Sequence, residues 1–366
     1  MRISLVISSL GSGGAERVIT GLANYLDKNG YDITLITYIN KTDDFYKVAS
    51  SIHRIRLDLG GVPNNNLHAL FNLYYRATNL RKAILKSKPD KIISFIDRCN
   101  ILTLLACQNT GIPIIISERT NPIYYPIGRF WALLRRLLYC RADHLVIQTE
   151  SLLNWARSYI DSDHISVIPN ALDDNRIHAL QRAQKIETDR AWQKSIVAMG
   201  RFTIEKGHDL LIKSVSPLLK RETEWGLEII GDGPLKPELL QLIQDLGLQD
   251  KVLLHGQVKN PFSILKSADI FVLPSRIEGF PNALLEAMAL GLACISFNCP
   301  SGPSELIEHN HNGLLVEKEN IDALTAAIED CIASEELRLR LGLQATAVIN
   351  RYSETNIMPH WEALFR

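Results

Sequence analysis

The chain has 366 residues, 46% of them apolar, with a mean hydropathy of +0.00, which suits a globular protein and excludes a disordered or fibrous one. At that length a single core gives way to two domains of ordinary size. Lys plus Arg equals Asp plus Glu at 40 each, but residues 1–170 carry 20 against 13 and the remainder 20 against 27, so the basic front half should meet something anionic.

The first apolar run, ISLVIS (3–8), leads into GSGGAER (11–17). A helix follows, with Ala15, Val18, Ile19, Leu22, Ala23 and Leu26 at helical spacing and Gly30 as its stop. MRISLVISSLGSGG has too short an apolar part for a signal peptide, and no run of about 18 apolar residues exists. Further strand runs are ITLITYI (33–39), KIISFI (91–96), PIIIS (113–117), HLVIQT (144–149) and ISVIP (165–169). Two basic stretches interrupt them, NLYYRATNLRKAILKSK (72–88) and GRFWALLRRLLYCR (128–141). The second interleaves Phe130, Trp131, Leu134, Leu137 and Leu138 with Arg129, Arg135, Arg136 and Arg141. It fits a helix lying in an anionic membrane interface, or a helix covering a sheet with its arginines on the wet side.

The polar segment 171–194 reads as an inter-domain linker. A second series follows: SIVAMG (195–200), LEIIG (227–231), VLLHG (252–256), IFVLP (270–274), ACISF (293–297) and GLLV (313–316). Short continuous apolar strands alternating with helices mean parallel sheets covered on both faces. The predicted fold is α/β: two Rossmann-like, doubly wound domains, 1–170 and 171–351, facing across a cleft, with a polar helix at 352–366 packing back on the first. Cysteines 99, 107, 140, 294, 299 and 331 form no C-x-x-C pair and read as reduced cytoplasmic thiols.

GSGGAER follows a strand and opens a helix, but a dinucleotide fingerprint would need glycine where Glu16 stands. The second strand ends Leu35-Ile36-Thr37-Tyr38, with no acidic residue for a ribose, so the dehydrogenase reading fails. What survives is a turn at Gly13 and Gly14 with free N–H groups for a phosphate or a sugar hydroxyl, or a turn that only needs small residues. In GRFTIEKG (200–207), Arg201 and Lys206 could grip a diphosphate from two sides or lie on a solvated loop. Gly231 in GDGP and His255-Gly256 again sit at strand ends and are weak signals alone.

IEGFPNALLEAMALG (277–291) reads as a loop and a helix starting near Pro281 or Asn282, with core face Leu285, Met288 and Ala289. Glu286, one turn inside, either gains from the helix dipole or accepts the hydroxyls of a ribose. Glu278 would then face the next unit of the ligand.

The set GGAER, GRFTIEKG, GDGP, HG, EGFPNALLEAMALG, SGPSELI and NGLLV, in order and nearly end to end, resembles glycosyltransferase family 4, retaining enzymes of GT-B fold. The resemblance implies Arg201 and Lys206 on the donor diphosphate, Glu286 on the ribose and Glu278 on the transferred sugar. It implies a donor path along Gly231, His255, Gly256, Gly279, Phe280, Asn282 and Ala283, with Gly13 and Gly14 approaching the donor phosphate or acceptor. Two departures stand out. Glu118 and Arg119 occupy the segment where the family often has a histidine near the reacting sugar, so no catalytic histidine carries over and both are read as acceptor-side residues. Ala293 replaces a usual proline.

The implied activity moves a hexose or hexosamine, N-acetylgalactosamine first, from a UDP-sugar to a saccharide on a polyprenyl diphosphate. The product would be an α-glycosidic bond in bacterial surface polysaccharide of the O-antigen or lipopolysaccharide type. Metal independence is expected, since no D-x-D motif appears at a strand end and fixed cations do the metal's work; no cofactor and no nucleic acid are expected. The expected location is the cytoplasm, peripherally on the inner face of the membrane. The alternatives are a nucleotide-sugar epimerase on the same fold and a non-catalytic sugar-nucleotide-binding subunit.

Overall fold

All twelve apolar runs become strands in the computed structural model, which describes residues 1–11, 13–39, 44–61, 66–173, 177, 190, 192–258 and 260–365. Most of the polar segment read as the linker, 171–194, lies outside the described residues, as does Ser12 of the first glycine turn.

The first unit comprises Met1–Ala171 with Ile357–Arg366, and the second Leu172–Asn356. Strands of the first are β1 (Arg2–Ile7), β2 (Asp32–Thr37), β3 (His53–Arg56), β4 (Lys91–Phe95), β5 (Ile114–Ser117), β6 (His144–Ile147) and β7 (Ile165–Val167). Its helices are α1 (Gly14–Lys28), α2 (Asn66–Ser87), α3 (Asp97–Ala106), α4 (Arg129–Leu138) and α5 (Leu153–Ala156). The second holds β8 (Lys194–Met199), β9 (Trp225–Ile230), β10 (Val252–Gly256), β11 (Ile270–Leu273), β12 (Ala293–Phe297) and β13 (Leu314–Val316). Among its helices are α6 (His208–Arg221), α7 (Lys236–Asp245), α8 (Phe262–Ser267), α9 (Asn282–Ala289) and α10 (Pro303–Leu306). After these come α11 (Ile321–Ala333), α12 (Glu335–Ala345) and α13 (Val348–Tyr352), and α14 (Glu354–Ala363) runs on into the first unit.

Each sheet is parallel throughout, with order β3-β2-β1-β4-β5-β6-β7 in the first and β10-β9-β8-β11-β12-β13 in the second. Both orders reverse beside their first strand. A ligand of a doubly wound sheet binds at that reversal, beyond the carboxyl ends of the strands. In the first unit the reversal lies between β1 and β4, in the second between β8 and β11. The strands are apolar because both faces are covered. Ile93 and Phe95 are fully buried in one sheet, as are Val197 and Phe271 in the other.

Strand β3 is absent from the sequence reading because its pattern, HRIR, is half charged. It is the sheet edge, where charged side chains blunt pairing with other chains. Arg54 donates to Leu35 O, Ile55 O and Thr37 Oγ1, and with Arg56 it ion-pairs Asp44. Burial alone would push the Asp44 carboxyl up, but these two arginines hold it below the usual carboxylate value.

The polar C-terminal segment is amphipathic at its centre. Ile357, Met358 and Trp361 are buried. The Trp361 ring lies 5.6 Å from Phe95, and Lys91 Nζ donates to Leu364 O at 2.8 Å. Among the described residues no helix is long and apolar enough to cross a membrane.

Candidate active site

At the reversal of the second sheet, two loops converge from the ends of β8 and β11. The first, 200–207, is tied to the end of β9 by Gly200 N to Ile230 O and Phe202 N to Asp232 O, both 3.0 Å. Phe202 is fully buried beneath it. Arg201 is exposed and makes no ion pair among the described residues. The loop closes in a 3₁₀ turn, Ile204–Lys206, ended by Gly207 at φ +66. An added Cβ on Gly207 would come 1.9 Å from Pro274 O, so only glycine lets this turn rest on the end of β11.

Side chains missing from the sequence reading lock the loop. Arg276 is bidentate to Asp209 (2.8 and 2.8 Å) and reaches Glu319 at 2.7 Å and Ile204 O at 2.6 Å. Burial pushes the Asp209 carboxyl up, but the Arg276 fork overcomes this and holds it below the usual value. His208 is buried, with Nε2 3.3 Å from Gly200 O, and burial lowers its pKa to about 4, leaving a neutral imidazole. No one-letter pattern marks Arg276 or His208, since each acts through partners distant in the chain or through the backbone.

The second loop carries Glu278, 5% exposed. Its Oε1 accepts from Lys206 Nζ at 2.7 Å and from Ser275 Oγ at 2.6 Å. Lys206 and Glu278, 72 residues apart, are thus brought into one ion pair at the switch point. Helix α9 begins at Asn282 after Pro281 and is buried on almost every side. The sequence-predicted core face of Leu285, Met288 and Ala289 is therefore too narrow: Leu284, Glu286 and Ala287 are inside as well. Phe280 is buried, its ring 5.8 Å from Tyr352, while Gly279, Asn282 and Ala283 are partly exposed.

Gly231 and Gly256 pair at the ends of β9 and β10 through Gly231 N to Gly256 O, 3.0 Å. The His255 imidazole is engaged elsewhere, with Nε2 2.7 Å from Glu228 Oε2. Glu228 is 1% exposed in the middle of β9 and also ion-pairs Arg190. The charged letter inside LEIIG was the signal for this cluster.

In the first unit, α1 starts at Gly14 with Gly13 as its cap. The Glu16 carboxylate folds back so closely that a Cβ on Gly13 would lie 2.2 Å from Oε2. A carboxylate already occupies the end of α1 where an anion gains most from the helix dipole.

Glu118 and Arg119 diverge. Glu118 is 0% exposed, and Oε1 accepts from the Tyr139 hydroxyl with Arg135 at 3.6 Å. It therefore offers no surface to an acceptor. Arg119 lies over the Phe95 ring at 4.3 Å and the Trp361 ring at 5.2 Å, with Nη1 donating to Asn170 Oδ1 at 2.9 Å. Burial lowers its pKa to about 9.

The arginines of 128–141 also need correction. Arg135 is 4% exposed, between Glu118 and Asp97 (3.7 Å) and over the Tyr139 and Trp155 rings, so it cannot face a membrane. Arg129, Arg136 and Arg141 are exposed. From the other basic stretch, Arg76 and Arg81 donate to backbone carbonyls, Leu59 O and Gly61 O, and Ala106 O and Gln108 O.

Burial raises the Glu118 pKa from 4.5 to about 7, against the pull of Arg135. A raised folded-state pKa gives stability that is complete below about 4.5 and lost as pH rises through about 7. Glu118→Gln keeps the neutral form. The stability of this variant relative to the parent should therefore climb between those pH values by roughly 3 kcal/mol and then level off. Thermal melts of the two proteins across that range check it; a gap independent of pH contradicts it.

A family model described as Glycosyl transferases group 1 matches residues 180–348, and one described as Glycosyltransferase Family 4 matches 12–176. The chain is 30% identical over 347 residues, 92% of each protein, to the N-acetylgalactosamine-N,N'-diacetylbacillosaminyl-diphospho-undecaprenol 4-alpha-N-acetylgalactosaminyltransferase of Campylobacter jejuni. It is 29% identical over 369 residues to the GalNAc-alpha-(1->4)-GalNAc-alpha-(1->3)-diNAcBac-PP-undecaprenol alpha-1,4-N-acetyl-D-galactosaminyltransferase of that organism, covering 99% of this chain and 97% of the relative. The solved sucrose-phosphate synthase of Thermosynechococcus elongatus superposes with a TM-score of 0.84 at 18% identity, covering 100% of this chain and 98% of that one, a likeness of fold. With both halves matched in order and a relative at 30% identity along nearly its whole length, the chain belongs to glycosyltransferase family 4, on the GT-B architecture.

Proposed function

We propose that the protein is a retaining, metal-independent transferase that moves a sugar, N-acetylgalactosamine first, from a UDP-sugar to a saccharide carried on a polyprenyl diphosphate. The bond formed is an α-glycosidic bond in a bacterial surface polysaccharide. The observation that carries the reading is the pairing of Lys206 with Glu278 at the switch point of the second sheet, with Arg201, which makes no ion pair among the described residues, at the head of the same loop. The names of the two Campylobacter relatives support the sugar and the lipid carrier.

Breaking the bond between sugar carbon and diphosphate builds positive charge on the sugar and negative charge on the departing nucleotide. Lys206 and Arg201 stabilise the departing diphosphate, a kind of electrostatic term often worth a few kcal/mol. Glu278 accepts a hydroxyl of the transferred sugar, and Glu286 holds the ribose. A departing phosphate oxygen takes the acceptor's proton on the face it leaves, which gives retention without a dedicated carboxylate base. Two fixed cations supply the charge that a metal would otherwise bring.

The acceptor belongs to the first unit, whose α4 exposes Phe130, Leu133 and Leu137 beside Arg129 and Arg136. On α2, Phe71, Tyr74 and Tyr75 are exposed as well. Apolar side chains interleaved with arginine suit the headgroup layer of an anionic membrane, on its cytoplasmic face. Release of UDP from UDP-N-acetylgalactosamine, UDP-N-acetylglucosamine, UDP-galactose and UDP-glucose, with membrane lipid extract and excess chelator, tests the donor reading. Turnover of at least one, fastest for the first, is expected; turnover of none, or turnover only without chelator, contradicts it.

A further inference from the structure

Ser301 has φ +64, a left-handed conformation uncommon for any residue but glycine. Gly302 follows at φ +94, and a Cβ there would meet Pro281 Cδ at 2.5 Å. The turn between β12 and α10 is therefore pressed against the residue that caps α9. Backbone held in such a region persists where the surroundings over-determine it, and such positions cluster at functional sites.

What this backbone secures is specific. Ser301 is 9% exposed, and its Oγ donates to the backbone carbonyl of Glu278 at 2.8 Å, bridging 23 residues. The side chain of Glu278 is held separately, with Oε1 shared by Ser275 Oγ and Lys206 Nζ. Glu278 is thus pinned at its carbonyl and at one carboxylate oxygen. Among the described residues Oε2 makes no hydrogen bond, so it is the oxygen left to accept one from outside.

We propose that Ser301 is a positioning residue that fixes the Glu278 backbone, so that Oε2 alone is presented to a hydroxyl of the transferred sugar. Ser275 sets the same orientation from the side-chain end. This rests on the assignment of Glu278 to the donor sugar. A carboxylate aimed through one oxygen recognises one hydroxyl in one position. A carboxylate free to rotate would recognise several, less well.

The test uses the full chain and whichever of the four UDP-sugars it turns over fastest. Ser301→Ala removes the hydroxyl and keeps the backbone penalty; Ser301→Gly removes the hydroxyl and relieves the penalty. Both should lose kcat/KM for the UDP-sugar by roughly 10- to 100-fold. Affinity for UDP, which lacks the transferred sugar, should stay at the parental value, and Ser301→Gly should melt no lower than Ser301→Ala. Ser275→Thr should retain activity that Ser275→Ala loses. Glu278→Ala separates the two levels of the argument. If it loses activity while Ser301→Gly keeps it, the turn is only structural and the inference fails. A parallel loss of UDP affinity in Ser301→Gly also overturns it, because the loop has then collapsed. If Glu278→Ala itself keeps parental kinetics, or no UDP-sugar is turned over, the donor reading fails first.

Discussion

Lys206→Ala is expected to cut turnover roughly 10²-fold or more, the scale seen when one donor aimed at developing negative charge is removed. The loss should appear in kcat, because the charge on the diphosphate grows as the sugar departs. The variant should also melt lower. Lys206 is the cation paired with Glu278, and its removal leaves a carboxylate 5% exposed with Ser275 as its remaining side-chain partner. A Lys206→Ala, Glu278→Gln double variant removes that uncompensated charge and should recover melting temperature without recovering turnover. Glu286→Ala should fail differently. It removes hydrogen bonds to a ribose that changes little during reaction, so the donor KM should rise more than kcat falls. Donor-saturation curves and thermal melts decide between these outcomes. Parental kcat and KM in both folded single variants would leave the two glutamates as helix-end and loop residues only.

The largest loss of stability is expected from Arg135→Ala. Its guanidinium lies between Glu118 and Asp97 inside the first unit, over two aromatic rings. Removing one partner of a buried charge network costs about 3–5 kcal/mol, since the others remain buried and uncompensated. Here the protonated form of Glu118 lessens that cost at low pH, so the damage should grow as pH rises through about 7 and above, where Glu118 ionises beside Arg135 in the parent. Arg136→Glu, one residue along and exposed, should leave the melt unchanged. It should weaken sedimentation with anionic vesicles, each such charge being worth about 1 kcal/mol near the surface. Salt should shrink the difference, because screening shortens the reach of the surface potential. Equal melts for Arg135→Ala and parent would contradict the buried network; unchanged sedimentation of Arg136→Glu would remove α4 from the membrane contact.

These two arginines show where the sequence stops being legible. Strands such as KIISF and IFVL announce themselves because both of their faces are buried, so every letter is apolar. HRIR does not, because it is an edge whose arginines hold Asp44 and backbone carbonyls. RFWALLRRLL shows the pattern of an interfacial helix, yet letters cannot say which arginine turns inward; that depends on Glu118 and Asp97 arriving from the ends of β5 and β4. Part of the basic excess of the front half is likewise satisfied within the unit, where half-buried Arg76 and Arg81 donate to backbone carbonyls. In the second unit, Lys206 and Glu278 stood out by motif and lie together. Ser275, Ser301, Arg276 and Glu228 did not. Each works through a partner fixed by the fold; a serine before a loop has no local periodicity to reveal it, and Glu228 shows only as a single charge inside an apolar strand.

The most direct measurement is transfer of labelled sugar from UDP-N-acetylgalactosamine, and in parallel from the other three UDP-sugars, into organic-extractable lipid. The purified chain is supplied with a bacterial membrane extract carrying polyprenyl-diphosphate saccharides. The predicted result is label in lipid, released by mild acid as an extended saccharide with an α-linked terminal sugar, with transfer by Lys206→Ala strongly reduced. Label recovered only as an isomerised donor, or UDP bound with no label in lipid, would contradict it.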